Sequence, residues 1–210
     1  MEIIVLFGPP GAGKGTTAET IEDFGFEHVA PGDIFRKELK EKTELGKELN
    51  KYMSKGKLVP DELVDKVVFN HLKNIESQKI VLDGFPRTVS QLNELEKRYP
   101  VNKIVDLEVS DDEIIKRLSK RRVCPECGST YHLITKKPKE EGICDNCGSE
   151  LIHRNDDKPK TIKSRLNQYR ENTLPVLEKY KSLGKEIVIV DAEKSIDGMI
   201  EEAKSKLKLS

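Results

Sequence analysis

Residues 3–16 constrain this chain more than any other stretch. Ile3-Ile4-Val5-Leu6-Phe7 is a continuous apolar run, and Gly8-Pro9-Pro10-Gly11-Ala12-Gly13-Lys14-Gly15-Thr16 follows at once. An apolar run bounded by Gly and Pro reads as a strand buried on both faces. The glycines let the backbone turn back tightly with its N–H groups open to an anion, and residues 15–24 can form a helix whose N-terminus faces that anion. Gly8, Gly13 and Lys14 fit the G-x-x-x-x-G-K spacing of a phosphate-binding loop. The alternative, a Gly-rich surface turn, explains neither the strand before the loop nor the helix after it. Two details narrow the motif. The residue after the lysine is Gly15, with the hydroxyl of Thr16 one place later, and the alternation Gly11, Gly13, Gly15 does not fit the G-x-G-x-x-G dinucleotide fingerprint.

The remaining elements alternate. Short apolar strands are expected at 26–29, 79–82, 103–109 and 187–191, separated by helical patterns at 34–41, 44–55, 61–74, 89–98, 161–181 and 195–207. Ser110, with Glu113 three residues on, reads as a capping box for a helix ending near Lys120. Strands without polar alternation, each followed by a helix, indicate an α/β fold whose parallel sheet is covered on both faces. At 210 residues the chain is one ordinary domain with room for a small insert. No repeat or low-complexity segment divides it.

Thirty-seven basic residues balance thirty-seven acidic ones, which argues against electrostatic coating of nucleic acid. No apolar run approaches membrane-spanning length, and Met1-Glu2 leads directly into the first strand, so a cytoplasmic protein with reduced thiols is expected. Only nine of the basic residues are Arg. Six of them, Arg36, Arg87, Arg117, Arg121, Arg154 and Arg165, come from separate segments, as a site for several phosphate oxygens requires. Arg98, Arg122 and Arg170 read as surface charge. Asp83, at the C-terminal end of a buried strand, is placed to organise the water shell of Mg²⁺ beside the phosphate loop.

All four cysteines lie between residues 121 and 157. Cys124-Pro-Glu-Cys127 and Cys144-Asp-Asn-Cys147 are two C-x-x-C pairs with sixteen residues between them, and each is followed by Gly. That spacing matches a four-cysteine zinc site. Disulfides are disfavoured by a reducing compartment, and a redox C-x-x-C would not need two copies. Four thiolates close the coordination shell, so the expected metal is structural. His132 and His153 are expected to face solvent or to be hydrogen-bonded instead of ligating.

These motifs together resemble the adenylate kinases, in the long-lid form with a zinc-binding lid, over essentially the whole chain. The match is carried by Gly8 to Thr16, by Gly32-Asp33 with Arg36, by Asp83-Gly84-Phe85-Pro86-Arg87-Thr88 with Gln91, and by the cysteine segment. The order Gly13-Lys14-Gly15-Thr16 is itself the nucleoside monophosphate kinase pattern. The resemblance implies a five-stranded parallel sheet flanked by helices. It also implies a core at 1–29, 60–120 and 158–210, a monophosphate-binding part at 30–59 and a zinc-ribbon-like lid at 121–157. The implied reaction is reversible, Mg²⁺-dependent transfer of the γ-phosphoryl group of ATP to AMP, giving two ADP, by a monomer without nucleic-acid or membrane partners.

Residue by residue, the resemblance implies that Gly11, Ala12, Gly13, Lys14, Gly15 and Thr16 cradle the ATP phosphates. Arg121 and Arg154 close from the lid and Arg165 joins them. Arg117 stacks on the ATP adenine, Thr130 and Tyr131 line that pocket, and Lys194 lies in the loop touching the base. On the AMP side, Arg36 and Arg87 hold the α-phosphate and Gln91 reads the adenine edge. Pro31, Lys57, Leu58, Val59, Gly84, Phe85 and Pro86 complete that wall, with Arg154 and Arg165 reaching AMP as well. Pro31 stands where the family usually has a Thr or Ser, so one polar contact to the base is absent. A GTP:AMP phosphotransferase or another nucleoside monophosphate kinase is the nearest alternative reading. A zinc-ribbon ATPase that binds nucleic acid is a remote one.

Overall fold

The computed structural model describes residues 1–209. Five parallel strands form one sheet in the order β2-β3-β1-β4-β7: β1 Glu2–Phe7, β2 Glu27–Val29, β3 Lys79–Asp83, β4 Lys103–Glu108 and β7 Glu186–Asp191. Strand β1 is central. Ile4 lies between Val81 of β3 and Lys103 of β4, and Leu6 between Asp83 and Val105.

Alternation along the strands divides the core into two layers. Ile3, Val5, Phe7, Ile80, Leu82 and Ile104 point to one face. There they meet Val64, Val68 and Leu72 of α4 (Asp61–Asn74), Leu92 and Leu95 of α5 (Val89–Arg98), and Val176 and Tyr180 of a later helix, Leu174–Ser182. Ile4, Leu6, Val81, Val105 and Leu107 point to the other face, against Ala18 and Ile21 of α1 (Lys14–Glu22) and Met199, Ala203 and Leu207 of the C-terminal helix, Ile196–Leu207. Each of the Val, Leu, Ile, Phe and Met side chains among these contributes ~1.5–3 kcal/mol when fully buried. The two layers therefore carry the stability of the fold.

Helices α2 (Pro31–Lys40) and α3 (Glu44–Met53) form a hairpin beside the sheet and send Phe35 and Leu49 into the first layer. They pack so closely that a Cβ at Gly46 would overlap the backbone of Glu38. Thr43 caps α3 by accepting from the Gly46 N–H at 3.0 Å. Helix α6 (Asp111–Lys120) packs on α7 (Pro159–Gln168) through Ile114, Leu118, Ile162 and Leu166. Between them lies the cysteine segment, with the short antiparallel pair β5 (Arg121–Val123) and β6 (Thr130–His132). Its own apolar cluster is small: Cys124, Tyr131 and Cys144, with Leu151 against them.

Two local expectations are corrected. The capping box at Ser110 does not form: its side chain caps nothing, and its N–H donates to Glu193 Oε1 at 3.0 Å. Glu113 is taken instead by Arg117, whose Nε lies 3.0 Å away. The long helix expected over 161–181 is interrupted by a π-helical turn, Tyr169–Thr173, before α8 (Leu174–Ser182) begins. Pro175 in the first turn of α8 supplies no N–H, which is consistent with a shift of hydrogen-bond register there. After β7, α9 (Ile196–Leu207) closes the chain.

Candidate active site

Strand β1 pairs with β3 on one side and β4 on the other, and the C-terminal ends of β1 and β3 open onto a cavity of about 320 Å³. This is where an open parallel sheet places ligand chemistry. The loop after β1 holds Gly8, Gly11 and Gly13 at φ values of 133°, 86° and 108°, which L side chains rarely adopt. A Cβ at Gly8 would also stand 2.8 Å from the Leu107 carbonyl. No side chain caps α1 and no carboxylate occupies its first turn, whereas α6 begins with Asp111, Asp112 and Glu113. The positive end of α1 is thus left open toward the cavity.

Lys14 Nζ donates to the carbonyls of Gly8 at 2.7 Å and Pro9 at 2.9 Å. Burial lowers its pKa to about 8; Arg87, Arg165 and Arg121 push the same way, while Asp83 opposes them. Asp83 ends β3. Burial works against its charge, but His28, Lys14 and Arg87 hold its carboxyl below the usual carboxylate range. His28 Nε2 lies 3.8 Å from Asp83 Oδ2, and the carboxylate raises the imidazole pKa against the cost of burial. Arg87 is anchored through Nε to the Gly84 carbonyl at 2.7 Å.

Three further arginines line the same cavity. Arg121 donates to Asp157 twice, Arg154 pairs with Asp156, and Arg165 reaches both carboxylates. Asp157 is fully buried. Burial disfavours the Asp156 anion, yet Arg165, Arg154 and Arg121 hold its pKa far below the usual range. Burial drives Arg165 down to about 9. Sequence reasoning missed Asp156 and Asp157 as the groups that keep this cluster together. Their adjacency to Arg154 was the available signal.

The cavity wall includes Gly11, Gly13, Lys14, Gly15 and Thr16 from the loop, and Pro31, Arg36, Lys57, Leu58 and Val59 from the 30–59 segment. Asp83, Gly84, Pro86, Arg87 and Gln91 line it from the end of β3 onward, and Arg117, Arg121, Thr130, Tyr131, Arg154 and Arg165 line it as well. Ala12 and Phe85 are instead buried in the two core layers. The Lys194 ammonium pairs with Glu202 Oε2 at 2.8 Å, and Ile196 lines the cavity near it. Arg117 donates to the Ala192 carbonyl at 2.6 Å. Tyr169 and Thr173, from the π-helical turn, also line the wall and had no signal in the sequence.

The four cysteines converge. Their sulfurs all lie within 4.8 Å of one another, with Cys124–Cys147 at 3.3 Å and Cys127–Cys144 at 3.5 Å. These separations are too long for S–S bonds and lie close to the ~3.8 Å edge of a zinc–thiolate tetrahedron. Gly128 N–H donates to the Cys124 carbonyl at 3.1 Å and Gly148 N–H to that of Cys144 at 2.9 Å, so each C-x-x-C curls in the same way. The donor set therefore fits a zinc ion. His153 Nε2 lies 3.2 Å from the Leu118 carbonyl, and His132 Nδ1 accepts from the Thr135 N–H at 3.1 Å. Tyr131 links the two sites: it lines the cavity while its hydroxyl accepts from the Asp145 N–H at 2.7 Å and lies 3.5 Å from Cys144 Sγ.

Comparison with known proteins agrees with this architecture. The family model for adenylate kinase matches residues 6–185. An adenylate kinase of Caldicellulosiruptor saccharolyticus is 44% identical over 92% of this chain and 94% of its own length. One from Caldanaerobacter subterraneus subsp. tengcongensis is 43% identical over 97% and 95%. One from Methanosarcina barkeri is 42% identical over 98% of each. The phosphate loop, the arginines that share its cavity and these matches lead to one conclusion: the chain belongs to the adenylate kinase family, the enzymes that transfer the γ-phosphoryl group of ATP to AMP with Mg²⁺ and form two ADP.

Proposed function

We propose the following division of labour for that reaction. The N–H groups of Gly11 to Thr16 cradle the ATP phosphates, and Lys14 follows the transferring group from donor to acceptor. Arg36 and Arg87 hold the AMP α-phosphate, and Gln91 reads the adenine edge. Arg121, Arg154 and Arg165 stabilise the charge that spreads over the equatorial oxygens during transfer. Arg117, Thr130 and Tyr131 border the donor nucleotide. Lys194 and its loop lie at the donor base, while Ala12 and Phe85 support the two nucleotide walls from beneath. The observation that carries this scheme is the convergence of Lys14, Arg87, Arg121 and Arg165 on one cavity, four cations around a single space.

No general base is assigned. The attacking oxygen belongs to a phosphate already anionic at neutral pH, so positioning and charge stabilisation suffice. Mg²⁺ bound with the nucleotide would neutralise phosphate charge, and Asp83, ionised at the end of β3, is the residue to hold its water shell. Residues 30–59 and 121–157 move against the core and exclude water when both nucleotides are bound. A zinc ion held by Cys124, Cys127, Cys144 and Cys147 supplies the lid with the cohesion its few apolar residues do not. A single chain supplies every residue in this scheme, so a monomer suffices. Neutral net charge supports the absence of a nucleic-acid partner, and four cysteines grouped as a metal site with no disulfide among them support a cytoplasmic location. No described helix is long and apolar enough to cross a membrane.

A coupled assay with ATP and AMP, with and without Mg²⁺, tests the reaction, and a panel of AMP, CMP, UMP and GMP tests the acceptor. Selective, Mg²⁺-dependent use of AMP is expected. Equal rates with CMP would remove Gln91 from its role. Replacing ATP by GTP in the same assay separates the two donors.

A further inference from the structure

We infer that Asp61 is a positioning residue that locks the side-chain amide of Gln91 in one orientation and thereby sets the choice between 6-amino and 6-oxo purines. The inference rests on the assignment of Gln91 to the acceptor base.

Gln91 is 2% exposed and lines the cavity near the end of β3. Its Oε1 accepts from the backbone N–H of Arg87 at 2.7 Å. Its Nε2 donates to Asp61 Oδ1 at 2.8 Å. The second oxygen of Asp61, Oδ2, accepts from Thr88 Oγ1 at 2.7 Å, and that hydroxyl in turn accepts from the Gln91 backbone N–H at 3.2 Å. A backbone N–H can only donate and a carboxylate can only accept. The two neighbours therefore decide which end of the amide is oxygen. A flipped amide would set Nε2 against the Arg87 N–H and Oε1 against the Asp61 carboxylate. Both contacts would be repulsive in a site where almost no water can reach the amide.

An adenine edge offers an acceptor at N1 and a donor at N6; a 6-oxopurine offers the reverse. A freely turning amide complements both, whereas an amide held in one orientation complements one. Pro31, on the same cavity wall, has neither N–H nor hydroxyl to share in the discrimination. Asp61 comes from the first turn of α4 and Gln91 from the first turn of α5, so the packing of the two helices fixes the orientation. The pair is thirty positions apart in the chain.

The test compares AMP with inosine 5′-monophosphate as acceptor, with ATP and Mg²⁺ saturating. Asp61→Leu is expected to lower the AMP-over-inosine-monophosphate ratio of kcat/KM by about tenfold, through a raised KM for AMP, with kcat changed less than about twofold. Asp61→Asn should restore the ratio, because its Oδ1 accepts from Gln91 while its Nδ2 donates to Thr88. Asp61→Ala carries the same test if the Leu variant does not fold. An unchanged ratio in Asp61→Leu or Asp61→Ala, or an Asn variant as unselective as Leu, overturns the inference. Gln91→Leu separates the two levels. If it alters the ratio and Asp61→Leu does not, the lock fails and the base-reading role stands. If Gln91→Leu leaves the ratio unchanged, the base-reading role fails and the lock fails with it.

Discussion

Arg121 meets Asp157 through two hydrogen bonds, Nε to Oδ2 at 2.7 Å and Nη2 to Oδ1 at 2.6 Å, and Arg165 Nη1 reaches the same Oδ1 at 2.9 Å. A fully buried carboxylate thus joins the lid segment to α7 at the edge of the cavity. Breaking one partner of such a cluster leaves uncompensated charge, which costs ~3 kcal/mol. Asp157→Asn should lower the stability in urea denaturation by that order and reduce kcat, since Arg121 and Arg165 lose their common anchor. A variant with wild-type stability and kcat would show that the arginines hold their places without it.

Lys14 offers a test of electrostatic stabilisation. Lys14→Met should reduce kcat by about 10²–10³ with the fold intact by circular dichroism, the scale of losing one preorganised donor at developing charge. Its lowered pKa adds a pH signature. The folded chain releases this proton near pH 8, while the unfolded chain keeps it until the ordinary lysine range. The burden of a desolvated ammonium is therefore present below about pH 8 and relieved as pH rises above it. The stability of the native chain relative to Lys14→Met should climb between pH 8 and 10, and kcat/KM for ATP should fall over the same interval.

Asp65 is expected to respond in the opposite sense. Its pKa is raised to about 6 by burial, then by Asp61 and Glu94, against the pull of Arg98, and its Oδ1 is buried without a hydrogen-bond partner among the described residues. A carboxyl with a raised folded pKa favours folding at low pH and loses that advantage as pH rises through about 6. Asp65→Asn should therefore raise Tm at pH 7–8 and leave it nearly unchanged at pH 4. Equal shifts at both pH values would assign the effect to packing.

Zinc content should be about one per chain. A strong chelator, or Cys144→Ser, should make residues 121–157 sensitive to protease and lower kcat, with far-UV circular dichroism nearly preserved. The sulfur cluster is separate from the two layers that hold the sheet. Protein purified without metal but with equal protease resistance would remove zinc from the lid.

Much of this was legible in the chain because the signals are local. Ile3 to Phe7 is apolar at every position, so it had to be buried on both faces. The glycines at 8, 11 and 13 occupy backbone conformations closed to other residues, and two C-x-x-C pairs have few ways to satisfy four thiols. What misled was also local: Ser110 and Glu113 have the spacing of a capping box, but Glu193 and Arg117 compete for their hydrogen bonds once β7 and α6 are in place. The π-helical turn that brings Tyr169 and Thr173 to the cavity has no sequence period of its own.

The sequence by itself determined the alternating α/β order, the phosphate-binding loop and the cysteine cluster, since each depends on residues within one turn, one strand or one short motif. Only the tertiary structure decided which charges meet. Asp157 anchors Arg121 from thirty-six positions away, and Asp61 orients Gln91 from thirty. Hydrogen bonds and ion pairs act over about 3 Å, so which donor finds which acceptor depends on how helices and loops pack across the edge of the sheet, a relation that spacing along the chain does not carry.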